Sequence, residues 1–142
     1  MELYIDANVF INAALDMEEK GKDSRLILAA IRDKTARAVT SVITYDEVFW
    51  IVKKHAGKEA AIAAGEALLS LPLSFVDFTA GLLGDVHSLL HKTVLSPRDA
   101  IHLASLKLRG IREMVSEDPD FDDPSLGIKR HTISETARML HL

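Results

Sequence analysis

The sequence has no cysteine among its 142 residues. Disulfides, cysteine-ligated zinc, iron–sulfur clusters and thiol nucleophiles are thereby excluded, and the absence fits a reducing cytosol. No apolar run reaches the roughly 18 residues that a membrane-spanning helix needs. The opening Met1-Glu2-Leu3-Tyr4-Ile5-Asp6 has no basic stretch and is interrupted by Asp6, so it does not read as a signal peptide. Positive charge is short: 17 Lys and Arg stand against 21 Asp and Glu, a net charge of −4. That balance excludes a polybasic nucleic-acid tail but not a local basic patch. The expectation is a soluble cytoplasmic protein that does not associate with membranes.

What is present is a globular composition, 48% apolar and 27% charged, in a length that suits one domain spanning residues 1–142. Short runs of strand formers alternate with helical periodicity. Leu3-Tyr4-Ile5, Ala38-Val39-Thr40, Leu73-Ser74-Phe75-Val76 and Glu113-Met114-Val115-Ser116 read as strands, with Ile128 to Thr132 as a fifth. Helices are expected over Val9–Leu15, Ser24–Lys34, Thr44–Ala56, Lys58–Ser70, Thr79–Lys92 and Pro97–Leu108, with a short one closing the chain. Met17 to Asp23, charged and containing Gly21, reads as a solvated loop, and the acidic run Asp118 to Asp123 as another. This alternation implies an α/β fold: a three-layer α/β/α sandwich around a central parallel sheet of four to five strands. Ligands of such sheets bind beyond the carboxyl ends of the strands.

Acidic residues gather where that rule points. Asp6 follows the first strand and Asp118 the fourth. Glu47 and Asp99 each lie at the start of a helix. If helices fold over the sheet edge, four carboxylates converge, and a pair about 5 Å apart repels by roughly 3 kcal/mol at an effective dielectric of about 20. A shared proton, an Arg or Lys, or a divalent cation relieves such crowding. Hard oxygen donors suit Mg²⁺ or Mn²⁺, which would promote phosphodiester hydrolysis. Each residue also has a purely local reading. Thr44-x-x-Glu47 spells a capping box and Ser96-Pro97-x-Asp99 nearly another. Asp6 suits a helix cap, and Asp118 a turn before Pro119.

Taken together, the four segments resemble the PIN domain family, metal-dependent ribonucleases that include the VapC-type toxins of toxin–antitoxin pairs. Ile5-Asp6-Ala7-Asn8-Val9-Phe10 is similar to the family's opening strand ending in Asp. Ser41-Val42-Ile43-Thr44-Tyr45-Asp46-Glu47-Val48 is similar to its Glu-bearing helix, and Asp99-Ala100-Ile101-His102-Leu103-Ala104 to its Asp-led helix. Val115-Ser116-Glu117-Asp118-Pro119-Asp120-Phe121 follows its Thr-x-Asp-x-Asp-Phe ending, with Ser in place of Thr. The order and spacing fit across essentially the whole chain. The resemblance implies that Asp6, Glu47, Asp99 and Asp118 are catalytic, metal-binding carboxylates for Mg²⁺ or Mn²⁺. It leaves open whether Asp120 or Asp122 joins them. It also implies an endoribonuclease acting on single-stranded RNA, with a cognate antitoxin as partner. Apolar surface on the helices Ser24–Lys34 and Thr44–Ala56 suggests a homodimer. The alternative is a non-catalytic PIN-like scaffold.

Other readings fit less well. Haloacid-dehalogenase phosphatases need an acid where Asn8 stands, and a receiver domain needs a second acid after strand one. An EF-hand needs Gly at Asp123 and Glu at Lys129. His87 and His91 share a helix face but read as solvated. His102 reads as an ordinary helix residue within reach of Asp99, and Trp50 as core or dimer-interface packing. Arg25, Lys53, Lys54, Arg98 and Arg130 are candidate phosphate contacts, Arg98 foremost because it adjoins Asp99.

Overall fold

The computed structural model describes residues 1–141. Five strands form one parallel sheet: β1 (Glu2–Ile5), β2 (Arg37–Ser41), β3 (Leu73–Val76), β4 (Glu113–Val115) and β5 (Lys129–His131), in the order β3-β2-β1-β4-β5. Ile5 pairs with Val115, and Tyr4 with both Val39 and Met114. From β1 the chain first builds outward through β2 and β3, then returns to the other side of β1 for β4 and β5. The topology therefore reverses between β1 and β4, the place where such sheets bind ligands at the carboxyl ends of their strands.

Both faces of the sheet are buried, as the continuous apolar strands require. Leu3, Ile5, Ala38 and Val115 face one core with α1 (Ala7–Leu15), α2 (Glu19–Arg32), α3 (Ile43–Ala56), α4 (Lys58–Ser70) and α7 (Ile133–Leu140). Their neighbours Tyr4, Val39 and Met114 face the other, with α5 (Leu83–Lys92) and α6 (Pro97–Leu108). The period of two along each strand thus feeds two helical layers, giving the expected three-layer α/β/α sandwich.

Two local expectations fail, each for a visible reason. The segment Met17–Asp23 is not a solvated loop, because α2 already begins at Glu19 and Gly21 is buried. Asp16 organises this corner: its carboxylate accepts from the Glu18 and Gly21 amides at 3.1 and 2.8 Å. A Cβ on Gly21 would lie 1.8 Å from the Asp16 carbonyl oxygen, so only glycine fits. The charges of this stretch cover a helix whose inner side is packed. The capping box at Thr44 does not form either. Thr44 Oγ1 lies 2.6 Å from Thr40 Oγ1, which donates to the Ile5 carbonyl at 2.7 Å. A buried hydroxyl chain joining β1, β2 and α3 takes Thr44 away from the helix end and leaves Glu47 free for another partner. Gly57, at φ +93°, separates α3 from α4.

Candidate metal centre

Asp6 caps α1, its Oδ1 accepting from the Ala7 amide at 2.7 Å. Its Oδ2 accepts from the Ser116 hydroxyl at 2.6 Å and from Asn8 Nδ2 at 3.1 Å. Ser116 follows β4 directly, so the pairing of β1 with β4 sets this contact. The same hydroxyl accepts from the Asp118 amide at 3.1 Å, tying the two strand ends together. Asp6 is almost fully buried, and burial raises its pKa. The charges of His102 and the Ser116 hydrogen bond work against that rise.

Glu47 approaches from α3, where its Oε1 lies 2.6 Å from Nε2 of His102. That ring is fully buried in α6, and its Nε2 is also 3.7 Å from Asp6 Oδ1. Burial pulls the His102 pKa down, but the Glu47 hydrogen bond and the neighbouring carboxylates outweigh it, so the net shift is upward. His102 therefore departs from the sequence expectation. It is not an ordinary helix residue and its partner is not Asp99. Its far nitrogen, Nδ1, lies 2.7 Å from the Tyr4 hydroxyl. Fifty-five positions separate His102 from Glu47 and ninety-eight from Tyr4, so no local pattern could have paired them.

The remaining acids lie on the open side. Asp99 stands in the first turn of α6, where Ser96 caps the helix by accepting from the Asp99 amide. Asp118 accepts from the Asp120 amide at 2.9 Å, shaping a short 3-10 turn over Pro119–Asp122. Carboxylate oxygens of Asp99, Asp118 and Asp120 lie within 4.8 Å of one another. At that distance each charged pair repels by about 3 kcal/mol at an effective dielectric of about 20. The Asp99 pKa is accordingly pushed up to about 7. Burial is the first cause, followed by a hydrogen bond with Asp118 and by the charges of Asp6 and Asp118. Asp122 turns outward instead, held by the Arg130 guanidinium at 2.7 and 2.8 Å, which lowers its pKa.

The candidate cations fall elsewhere. Arg98 is exposed and 3.8 Å from Asp46. Arg130 also donates to the Ser116 carbonyl at 3.0 Å, and Arg25 donates to the Ala13 and Asp16 carbonyls. Trp50 is 54% exposed, which rules out core packing, and Lys54 Nζ lies 5.2 Å above its ring.

Asp6 and Glu47 thus meet at His102, and Asp99, Asp118 and Asp120 cluster beside them, near enough for the Asp6 charge to act on Asp99. A sequence model of the PIN domain matches residues 3–125. The chain belongs to the PIN domain family. No curated protein matches this sequence. Among solved structures, the PIN chain is similar in fold to VapC20 of Mycobacterium tuberculosis, described as a toxin cleaving the sarcin–ricin loop. The identity is 19%, covering 86% of this chain and 94% of that one, with a TM-score of 0.72. It is similar to a chain of VapBC2 from Rickettsia felis bound to promoter DNA, at 16% identity, 93% and 98% coverage and a TM-score of 0.71. A chain of DNA-bound VapBC from Salmonella typhimurium shares 22% identity, with 94% and 98% coverage and a TM-score of 0.69. Among the described residues of this PIN protein, no helix is long and apolar enough to cross a membrane.

Proposed function

We propose that this PIN protein is a Mg²⁺- or Mn²⁺-dependent endoribonuclease acting on single-stranded RNA, and the toxin of a toxin–antitoxin pair in the cytoplasm. The observation that carries the reading is the carboxylate cluster of Asp99, Asp118 and Asp120 beside buried Asp6. The imidazole of His102, 3.7 Å from Asp6, is engaged with Glu47. Carboxylates with no Arg or Lys among them form a hard donor set of the kind that Mg²⁺ and Mn²⁺ take. Asp6, Glu47, Asp99 and Asp118 would hold the cation, with Asp120 adding an oxygen at the open rim. When bound, such a cation supplies charge to a phosphodiester and acidifies water.

The chain's own residues do the rest. Ser116 and Asn8 orient the Asp6 carboxylate, and Ser116 also fixes the backbone that presents Asp118. Asp99, whose pKa burial and the neighbouring acids push up to about 7, would yield its proton to a bound cation. Cysteine is absent. His102 is committed to Glu47 and Tyr4, and is not placed to activate Ser41, Thr44 or Ser116 as a nucleophile. Water is therefore the attacking group, without a covalent enzyme intermediate. The similar structures include a toxin–antitoxin complex from Klebsiella pneumoniae, which supports a cognate antitoxin as partner. A homodimer through the α2 and α3 surfaces, where Trp50 and Tyr45 are exposed, completes the assembly.

The test uses a short RNA with a 2′-O-methyl group at the cut site, incubated with Mn²⁺ or with EDTA. The reading predicts cleavage with Mn²⁺, none in EDTA, and products bearing a 5′-phosphate and a free 3′-hydroxyl. Cyclic-phosphate ends, or cleavage indifferent to EDTA, would overturn the mechanism. A protein that binds partners but cleaves no RNA under any metal would be the scaffold instead.

A further inference from the structure

The buried imidazole beside the acidic cluster has a role that the carboxylates alone do not explain. His102 is fully buried, and both of its ring nitrogens are engaged: Nε2 lies 2.6 Å from Glu47 Oε1, and Nδ1 2.7 Å from the Tyr4 hydroxyl. Tyr4 is itself fully buried on β1, and its ring meets the imidazole edge-on at 5.7 Å. The three residues form a rail running from the sheet interior through α6 to the carboxylate of α3. Glu47 has no other side-chain hydrogen bond among the described contacts, and its α3 start offers none, since Thr44 is turned to Thr40.

We propose that His102 is a positioning residue for Glu47, itself held in place by Tyr4, so that the rail aims the Glu47 carboxylate into the metal site. This rests on the metal-centre reading above. The hydrogen-bond inventory supports it in either protonation state. A carboxylate only accepts, so Nε2 must carry a proton. If the ring is neutral, Nδ1 is then the acceptor and the Tyr4 hydroxyl donates to it. If the ring is an imidazolium, Nδ1 donates to the Tyr4 oxygen. In both states the Nε2–H points at Glu47, and the ring cannot turn without leaving two buried polar groups unpaired. Such an outer partner fixes both the direction and the basicity of the carboxylate it serves.

Two substitutions separate positioning from mere packing. Gln places its amide nitrogen near the Nε2 position, whereas Asn places its amide near Nδ1. His102→Gln therefore keeps a donor for Glu47, and His102→Asn keeps a partner only for Tyr4. Mn²⁺ alone is titrated by calorimetry into the full chain and both variants. His102→Asn should bind about 10- to 100-fold more weakly, while His102→Gln stays within a few fold of wild type. In a Glu47→Gln background His102→Asn should cause no further loss. Equal losses in the two variants, or no loss in either, would overturn the proposal. A second readout needs no metal and no His102 variant. The metal-free wild type should show a slowly exchanging, downfield imidazole N–H proton by NMR that moves upfield in Glu47→Ala and not in Asp99→Asn. Absence of that proton, or its indifference to Glu47→Ala, would also overturn the proposal. A wild type that binds no Mn²⁺ would instead sink the metal-centre reading, and the N–H signal would still decide the role of His102.

Discussion

The two halves of the acidic cluster solve the same electrostatic problem differently. On the inner side, Asp6 and Glu47 are enclosed by donors: the Ala7 amide, the Ser116 hydroxyl, Asn8 Nδ2 and His102 Nε2. On the outer side, Asp99, Asp118 and Asp120 face one another, and none of them forms an ion pair with an Arg or Lys among the described residues. Asp99 relieves the crowding by holding a proton up to about pH 7. The inner half is built like a scaffold, its carboxylates hydrogen-bonded before any ligand arrives, with Asn8 Oδ1 left unpaired. The outer half is left short of positive charge, and this shortage is the ground for proposing a cation site there rather than a structural ion-pair network.

The largest predicted effect falls on the outer half. Asp99→Asn should lower RNA cleavage on the order of a thousandfold, equivalent to about 4 kcal/mol in the barrier, measured under single-turnover conditions with saturating Mn²⁺. The fold should survive, since the Ser96 cap uses the Asp99 backbone amide and not its side chain. Preserved cleavage would remove Asp99 from the site.

Ser116→Ala should produce the opposite pattern. It deletes a hydroxyl shared by Asp6, Asn8 and the Asp118 amide, leaving buried groups unpaired. A loss of about 1–3 kcal/mol in metal-free stability is expected by urea denaturation. No loss would mean that the inner half is less tightly organised than its hydrogen bonds imply.

A pH series sharpens the contrast. The folded-state pKa of Asp99, about 7, lies above its ordinary value of 3.8. Between those values the folded chain holds the extra proton, so metal-free stability should fall as pH rises through that window. His102, also shifted upward, adds to the fall with the same sign. Asp99 is half-exposed, and after allowance for solvent screening its share is about 1–2 kcal/mol. Asp99→Asn should therefore be more stable than wild type at pH 8 and nearly equal at pH 4. A wild-type stability that rises from pH 5 to 8 would contradict this. The smallest effect is expected at Asp122, which Arg130 turns away from the acidic cluster. Asp122→Asn should leave Mn²⁺ affinity unchanged, whereas Asp120→Asn should weaken it.

How much of this was legible in the sequence differs between the same two halves. Asp6 and Asp118 were placed correctly at strand ends because a buried parallel strand shows itself as a short β-branched or apolar run, and the acid after it is adjacent in sequence. Ser96 and Pro97 marked the start of α6, so Asp99 was placed with it. Glu47 enters the set through the family resemblance, while the capping box that is its local reading does not form, because a hydroxyl from β2 competes for Thr44. His102 and Tyr4 gave no local signal at all. Their partners are brought together by packing α6 against the sheet, and a histidine in a helix of Ala and Leu looks like any other helical residue. Gly21 misled for a similar reason: a glycine amid charges suggests a loop, but here it marks where α2 touches the end of α1.

The central claim is that Asp99 holds a proton, through burial and the neighbouring acids, that a bound cation would displace. It is tested most directly by counting protons as Mn²⁺ binds, using calorimetric titrations near pH 6.5 in buffers of different ionisation enthalpy. Wild type should release about three-quarters of a proton per cation bound, the fraction of Asp99 protonated at that pH, and Asp99→Asn should bind more weakly and release almost none. Wild-type binding with no proton release, or equal affinity and equal release in both proteins, would contradict the claim.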